Sequence, residues 1–342
     1  MNFEEIAKLA GVSKATVSRV VHNSTTVSAD TRKKVLHVIK ELNVDVNIMK
    51  RKKESASSQI VGLLLPLNQN RFAPFLMDIM VGAERKVLEN DYMMLMSGIS
   101  EDTSRNDHIL DKMAEKEVEG MIVFPSENIA AKSLEELQDK GIPFVCVDQI
   151  LTGIEADQVH ADNVKGSVVL MKHLHELGHR RIAIMYHKEL FSLRERLRGC
   201  QLSMLEHGIP LEEALFINTP ELKNSNAIYL QVLNLLQGPD RPTAMVLTSP
   251  HYAVGVIRAL NELDLRVPEH ISLVTFDDHY AALPAEYQQF FTAVVQNAQQ
   301  IGRLAAEQLF HRIQNPDQPV QEILLPGTLN VRQSTAPPRS LG

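Results

Sequence analysis

The chain has 342 residues, 44% of them hydrophobic, with 35 Lys/Arg against 42 Asp/Glu and a formal charge of -7. That length predicts two or three compact units rather than one, and a total of two cysteines, Cys146 and Cys200, excludes a disulfide framework or a Cys-based zinc site. No run of about 18 apolar residues is present to span a bilayer, and the opening MNFEEIAKLAG carries acids where an export signal is basic, so the expected address is cytoplasmic with no membrane partner.

The net charge hides an asymmetry. Residues 1–53 hold 11 Lys/Arg against 5 Asp/Glu, a net of +6, which leaves 24 against 37, a net of -13, for the rest. A basic head on an acidic body points to a polyanion that touches the head alone. Within that head Asn2 and Glu5 frame a first helix with Phe3, Ile6, Ala7, Leu9 and Ala10 on its apolar side, ending at Gly11. Ser13 caps a second helix with Val17, Val20 and Val21 inward and Lys14, Ala15, Ser18, Arg19 and His22 outward. Ser28 caps a third, whose buried stripe is Val35, Leu36, Val38, Ile39 and Leu42. Three short helices with a glycine turn after the first predict a helix-turn-helix unit that lays its second helix in the DNA major groove.

Residues 44–59, VDVNIMKRKKESASSQ, are polar and Lys-rich and read as a linker. From residue 60 short β-rich runs alternate with helical stretches: IVGLLLP, then FLMDIMVGAERKVLEN, YMMLMSG, a charged helix, GMIVFP, another helix and IPFVCVD. The pattern restarts after residue 162 with a helix through HLHELG, then RRIAIMY, a helix from about 194, LFINT, a helix from about 224, TAMVLTS, a helix over VGVIRALNEL, and ISLVTFDD. The expected fold is an all-α helix-turn-helix domain (1–44), a hinge (45–59) and an α/β body (60–342) of two doubly wound parallel lobes. Lobe one is expected to take about 60–161 and 292–323, lobe two about 162–291 and 324–342. Ligand groups then belong at the carboxyl ends of strands, in the cleft between lobes. Asp148 ends VCVD, Asp277 and Asp278 end VTFDD, Ser249 ends VLTS, and Arg196 sits in RERLRG. Carboxylates and a guanidinium converging on a cleft can share the vicinal hydroxyls of a sugar.

GVSKATVSRVV, the following VSADTRKKV and features along nearly the whole chain resemble the lactose/galactose repressor (LacI-type) family. The resemblance implies a DNA-binding repressor of carbohydrate-utilisation genes, cytoplasmic and not an enzyme, controlled by a small effector. By it, Lys14, Ala15 and Arg19 reach base edges while Thr16 and Ser18 favour phosphates, within a DNA-contacting set of Ser13, Lys14, Ala15, Thr16, Ser18, Arg19, His22, Asn23, Met49, Lys50 and Lys53. Arg19 suits guanine O6/N7 and the Ala15 methyl a thymine methyl. In the body, Arg196 (three before Gly199) and Asp277 match the family's most dependable effector positions, Asp148 a position that touches sugar in several members, and Phe75 an aromatic or apolar site able to stack on a ring; Ser249 completes the expected set.

The sequence also departs from the family. Val46 stands for a proline, Lys50 for a small residue and Lys53 for a leucine that wedges the minor groove, so KRKK at 50–53 is expected to act mainly through phosphate charge. Ser249-Pro250 replaces Asn-Asp, and Thr275 replaces a glycine. No Walker-type loop or G-x-S-x-G elbow occurs, and although His175 and His179 stand one helical turn apart within HELGH, ELGHRRIAI makes the His173, His175, His179 and His187 set a helix end rather than a metal site. No metal and no cofactor is expected. The partners expected are a pseudo-palindromic operator, a sugar or sugar phosphate and, since RQSTAPPRSLG has no heptad repeat, a homodimer rather than a tetramer. Whether a protein co-regulator takes part, and whether the ligand induces or corepresses, stays open at this level.

Overall fold

The computed structural model describes residues 3–21, 27–41, 57–66, 73–100, 102–125, 129, 131–150, 153–219, 224–238, 240–278, 284, 287 and 289–339. Its backbone contacts divide the chain into two units, 1–59 and 60–342.

The first unit contains α1 (Phe3–Ala10), α2 (Lys14–Val21) and α3 (Ala29–Glu41). Gly11 stops α1 by taking φ +66, which an L residue adopts only at a cost; Val12 N–H then turns back to Ala7 O at 3.0 Å. Ser13 and Ser28 start the next two helices, their Oγ atoms accepting from Thr16 N–H at 3.1 Å and Thr31 N–H at 3.3 Å. Ile6, Ala7, Val17, Val20, Val35 and Ile39 form the core. Leu9 and Leu36, expected in the apolar stripes, are exposed instead, because each stripe is wider than two short partner helices can cover. The cap expected at Asn2 and the buried position expected at Leu42 lie outside the described residues.

The second unit is two six-stranded sheets. Lobe one is built from β1 (Ile60–Leu65), α4 (Ala73–Glu89), β2 (Met93–Gly98), α5 (Thr103–Glu115), β3 (Met121–Val123), α6 (Ala131–Asp139), β4 (Phe144–Val147) and β5 (Asp157–Ala161). The chain then crosses into lobe two for α7 (Asn163–Glu176), β6 (Ile182–Tyr186), α8 (Phe191–Glu206), β7 (Phe216–Asn218), α9 (Ser225–Gln237), β8 (Ala244–Leu247), α10 (Ala253–Glu262), β9 (Ser272–Phe276) and β10 (Thr292–Val295). It returns for α11 (Ala298–Gln314) and β11 (Glu322–Leu325), then crosses a third time into β12 (Thr328–Asn330). The sheet orders are β11-β5-β4-β3-β1-β2 and β12-β10-β9-β8-β6-β7, parallel throughout except for the antiparallel β10–β12 pair.

This topology corrects the expected lobe boundaries. Thr292–Val295, assigned from sequence to lobe one, pairs with β9 through Ala293↔Thr275 and belongs to lobe two. Leu324 and Leu325, assigned to lobe two, pair with His160 and Ala161 in lobe one. The crossing lies at residues 296–297, where Asn297 Oδ1 caps α11 by accepting from Gln300 N–H at 3.1 Å. The α8 helix also begins earlier than its sequence indicated, because Leu190 precedes it with no side-chain cap to mark the start.

Each sheet is buried between helices, so its central strands read as continuous apolar runs. In lobe one α4 and α11 pack backbone against backbone: a Cβ on Gly302 would lie 1.9 Å from Ile79 O, and one on Gly82 1.9 Å from Gln299 O. The edge strand β2 instead turns Met93, Leu95 and Met96 outward, at 66%, 37% and 46% exposure. No helix among the described residues is long and apolar enough to cross a membrane.

Candidate functional site

In the head, burial of Val17 and Val20 against α1 and α3 leaves Arg19 exposed on the opposite side of α2. Thr16 is half-buried and its Oγ1 lies 2.8 Å from Ser13 Oγ, so both hydroxyls are tied to the start of the helix. The side chains of Lys14, Ala15 and Ser18, and His22, Asn23, Met49, Lys50 and Lys53 in full, lie outside the described residues.

In the body, three of the sequence-selected residues form one electrostatic group. Asp148 follows β4 and Asp277 follows β9, each with positive φ, +63 and +57, a conformation Asp tolerates better than most residues. Asp148 N–H donates to Val159 O at 3.2 Å and Asp277 N–H to Val294 O at 2.9 Å, so each carboxylate is fixed where two neighbouring strands end. Arg196, one turn into α8, is 4% exposed. Its Nε donates to Asn163 Oδ1 at 2.7 Å, its Nη1 to Thr248 O at 2.7 Å, and the guanidinium carbon sits 4.0 Å from the centroid of the Phe276 ring.

Burial pushes the Asp148 carboxyl above the usual carboxylate range; Arg196, the Gln149 hydrogen bond and His160 oppose the rise, while Asp277 adds to it. Burial likewise pulls the Arg196 guanidinium down, against the charges of Asp277 and Asp148. Each charge is costly alone and is held by the others. Gln149 Nε2 donates to Asp148 Oδ2 at 2.7 Å and to Ser192 Oγ at 3.1 Å across the lobes. Gln296 donates to Asp277 twice, from its backbone N–H at 3.2 Å and its Nε2 at 2.7 Å.

The other two selected positions are placed differently. The Ser249 hydroxyl is spent locally, accepting from His251 N–H at 3.4 Å and lying 3.0 Å from His251 Nδ1, at the start of the short turn Pro250–Tyr252. Phe75 is buried in the lobe-one core with Leu65, Phe124 and Val147. Thr275 is fully buried and its hydroxyl donates to Phe276 O at 3.0 Å. Asn163, Gln296, Gln149 and Ser192 were not singled out from sequence. The strand-end rule that selected the aspartates selects Gln296 as well once β10 is placed in lobe two.

Two of the four histidines hold the chain end in place. His179 lies 2.9 Å from Thr243 Oγ1 and from Ala336 O, and His173 lies 3.0 Å from Thr335 Oγ1, so the pair anchors the C-terminal segment to lobe two. Among the described residues no group of three metal-ligating side chains occurs.

Comparison with known proteins matches residues 2–45 to the model for bacterial regulatory proteins of the lacI family, and residues 171–335 to the periplasmic binding protein-like domain. The ribose operon repressor of Haemophilus influenzae is 28% identical over 336 residues, covering 97% of each chain. Catabolite control protein A of Priestia megaterium is 27% identical, covering 97% of this chain and 98% of its own. Among solved structures, a complex of the transcriptional regulator CelR with cellobiose superposes with a TM-score of 0.70 at 27% identity, over 98% of this chain and 99% of that one. The lac repressor dimer bound to operator and the anti-inducer ONPF shares the fold, with a TM-score of 0.69 at 22% identity over 98% and 99% of the two chains. What the matches show is a lacI-family DNA-binding head followed by a periplasmic binding protein-like body, the organisation of LacI-family transcriptional regulators.

Proposed function

We propose that this regulator is a cytoplasmic homodimeric repressor of carbohydrate-utilisation genes, released from or fixed on a pseudo-palindromic operator by a sugar or sugar phosphate. The observation that carries the effector reading is the Asp148–Arg196–Asp277 group, in which a buried guanidinium on α8 is coupled to a buried carboxylate at a strand end of lobe one and a half-buried one at a strand end of lobe two. Such a group offers fixed acceptors and donors to vicinal hydroxyls. Ser249, held by His251, and Phe75, buried in the lobe-one core, stand outside that group. Relatives point the same way, one being a ribose operon repressor and another a regulator in complex with cellobiose. The proposed organisation is a DNA-binding head over 1–44, a hinge over 45–59 and an effector and dimerisation body over 60–342.

Ser13, Lys14, Ala15, Thr16, Ser18, Arg19, His22 and Asn23 form the proposed major-groove set, with Met49, Lys50 and Lys53 of the hinge adding contacts beside it. The exposed Met93, Leu95 and Met96 on edge strand β2 support a homodimer, since an open apolar edge invites a second chain. Effector closes the cleft and changes the separation of the two heads. The coupling is reciprocal, so an inducer binds the free protein more tightly than the DNA complex.

Selection of bound duplexes from a random pool by the full-length protein, followed by fluorescence anisotropy on the enriched site, tests this. A two-fold symmetric site is expected, with affinity lost in Arg19→Ala by about tenfold or more. A screen of neutral sugars and sugar phosphates against that complex then identifies the effector. Sequence-blind binding that Arg19→Ala leaves unchanged would overturn the reading.

A further inference from the structure

His160 is the last residue but one of β5, and Asp148 directly follows the neighbouring β4. The β4–β5 register runs Val147↔Val159, so the next pair along the two strands is Asp148 and His160. The imidazole is 5% exposed. Its Nδ1 lies 3.2 Å from Ala161 O and its Nε2 lies 2.9 Å from Glu322 Oε1. A backbone carbonyl only accepts, and the Glu322 side chain, 54% exposed, is a hydrated carboxylate that also only accepts. Both ring nitrogens therefore face acceptors, and each can donate only where it carries a proton.

The same ring reaches across the lobes. It meets Phe191 edge-on, with centroids 5.7 Å apart and planes at 86°. Phe191 is the first residue of α8, Ser192 beside it accepts from Gln149, and Gln149 holds Asp148. The first turn of α8 thus touches lobe one at His160 and at the Gln149–Asp148 pair, while Arg196 follows one turn later.

We propose that His160 is a positioning residue of the effector site: fixed as an imidazolium between Ala161 O and Glu322, it supplies the lobe-one charge that keeps the buried Asp148 carboxylate ionised for the effector. The inference rests on the reading of Asp148 as an effector ligand. The charged groups acting on Asp148 are Arg196 of lobe two, His160, and Asp277, whose negative charge works against it. The His160 ring itself faces Glu322, and its lobe-two neighbour Phe191 is apolar. Without the imidazolium, Arg196 and the Gln149 hydrogen bond would have to offset both the burial of Asp148 and the charge of Asp277.

The test uses the full-length protein labelled with ¹⁵N-histidine and with ¹³C-aspartate at the carboxyl carbon, signals being assigned with H160Q and D148N. At pH 7 both ring nitrogens of His160 are expected to be protonated, and E322Q, whose amide can donate to Nε2, is expected to leave a singly protonated ring. The Asp148 carboxyl titration should move up by about one pH unit, a tenfold weaker acid, in H160Q, and by a similar amount in E322Q. A neutral His160 ring in the unmodified protein, or an unmoved Asp148 midpoint in folded E322Q, overturns the proposal. Glu322 is half-exposed, so E322Q keeps the test intact where H160Q fails to fold. Neither measurement needs an effector. Sugar-triggered DNA release that survives in D148N would instead sink the effector reading, a failure distinct from that of the His160 charge.

Discussion

Asn163 holds Arg196. Its Oδ1 accepts from the Arg196 Nε at 2.7 Å while its Nδ2 donates to Ala161 O at 3.2 Å, so the first residue of α7 fixes a guanidinium on α8 and the strand end of lobe one together. Asn163→Ala leaves a buried N–H of a cation without its acceptor. The expected cost is about 2 kcal/mol of stability, with a weakened ligand response and unchanged operator affinity in the absence of ligand. Urea unfolding together with anisotropy on the selected operator checks both. Unaltered stability would mean that water or a neighbouring group replaces the amide oxygen.

How much of this was legible in the sequence depends on the kind of signal. The aspartates at 148 and 277 were visible because each directly follows a mainly apolar strand run, and Arg196 because it sits in a helix between such runs. Asn163 and Gln296 were not, since their roles depend on where the chain crosses between lobes. FTAVV and EILL are both short apolar runs near the C-terminus, and nothing local states which sheet each joins. That choice is made by the three crossovers and by Asn297 capping α11 between them. His160 reads from sequence as an ordinary strand residue; only its pairing with Glu322, 162 positions away, shows that both ring nitrogens meet acceptors. In the head the caps and the glycine turn were legible, because capping chemistry is local, while the exposure of Leu36 depended on how little surface two partner helices offer.

Ser13 starts the helix that carries Arg19, and its Oγ satisfies the Thr16 N–H at 3.1 Å. Ser13→Ala removes that acceptor and is expected to destabilise the head by about 1 kcal/mol. Amide exchange should quicken in residues 14–21, and operator affinity should fall while the stability of the body stays as it was. An equal loss of protection in both units would show that the cap is not a local device.

The buried ion pair of lobe one ties together three segments. Arg312 on α11 donates from Nε to Asp157 Oδ2 at 2.7 Å and from Nη2 to Asp157 Oδ1 at 2.8 Å. The same guanidinium donates to the carbonyls of Gln318 and Pro319, and Asp157 Oδ1 also accepts from Gln321 N–H at 2.8 Å, next to Glu322. Asp157→Asn keeps the shape and removes the charge, leaving Arg312 uncompensated. About 3 kcal/mol of stability should be lost, with looser pairing of β11 to β5. Urea unfolding measures the first, and protection of the Glu322–Leu325 amides the second. A loss below about 1 kcal/mol would place the pair among weak surface bridges.

His175 sets the acid limit of lobe two. The ring is 5% exposed, neither nitrogen has a hydrogen-bond partner, and its centroid lies 4.2 Å from that of His207. Burial, followed by the charges of His207, Arg180 and His179, pushes it down from 6.5 to about 4. The unfolded chain therefore binds a proton at this residue that the folded protein refuses. Stability from this source is complete above about pH 6.5, is lost as the pH falls toward about 4, and changes no further below that. The loss between pH 7.5 and pH 5 should be about 2 kcal/mol. His175→Leu fills the same space with an apolar side chain that binds no proton, so the variant should be as stable as the parent at pH 7.5 and more stable at pH 5. Urea midpoints at the two pH values decide the matter: parallel acid losses in the two proteins would assign the proton uptake to another group.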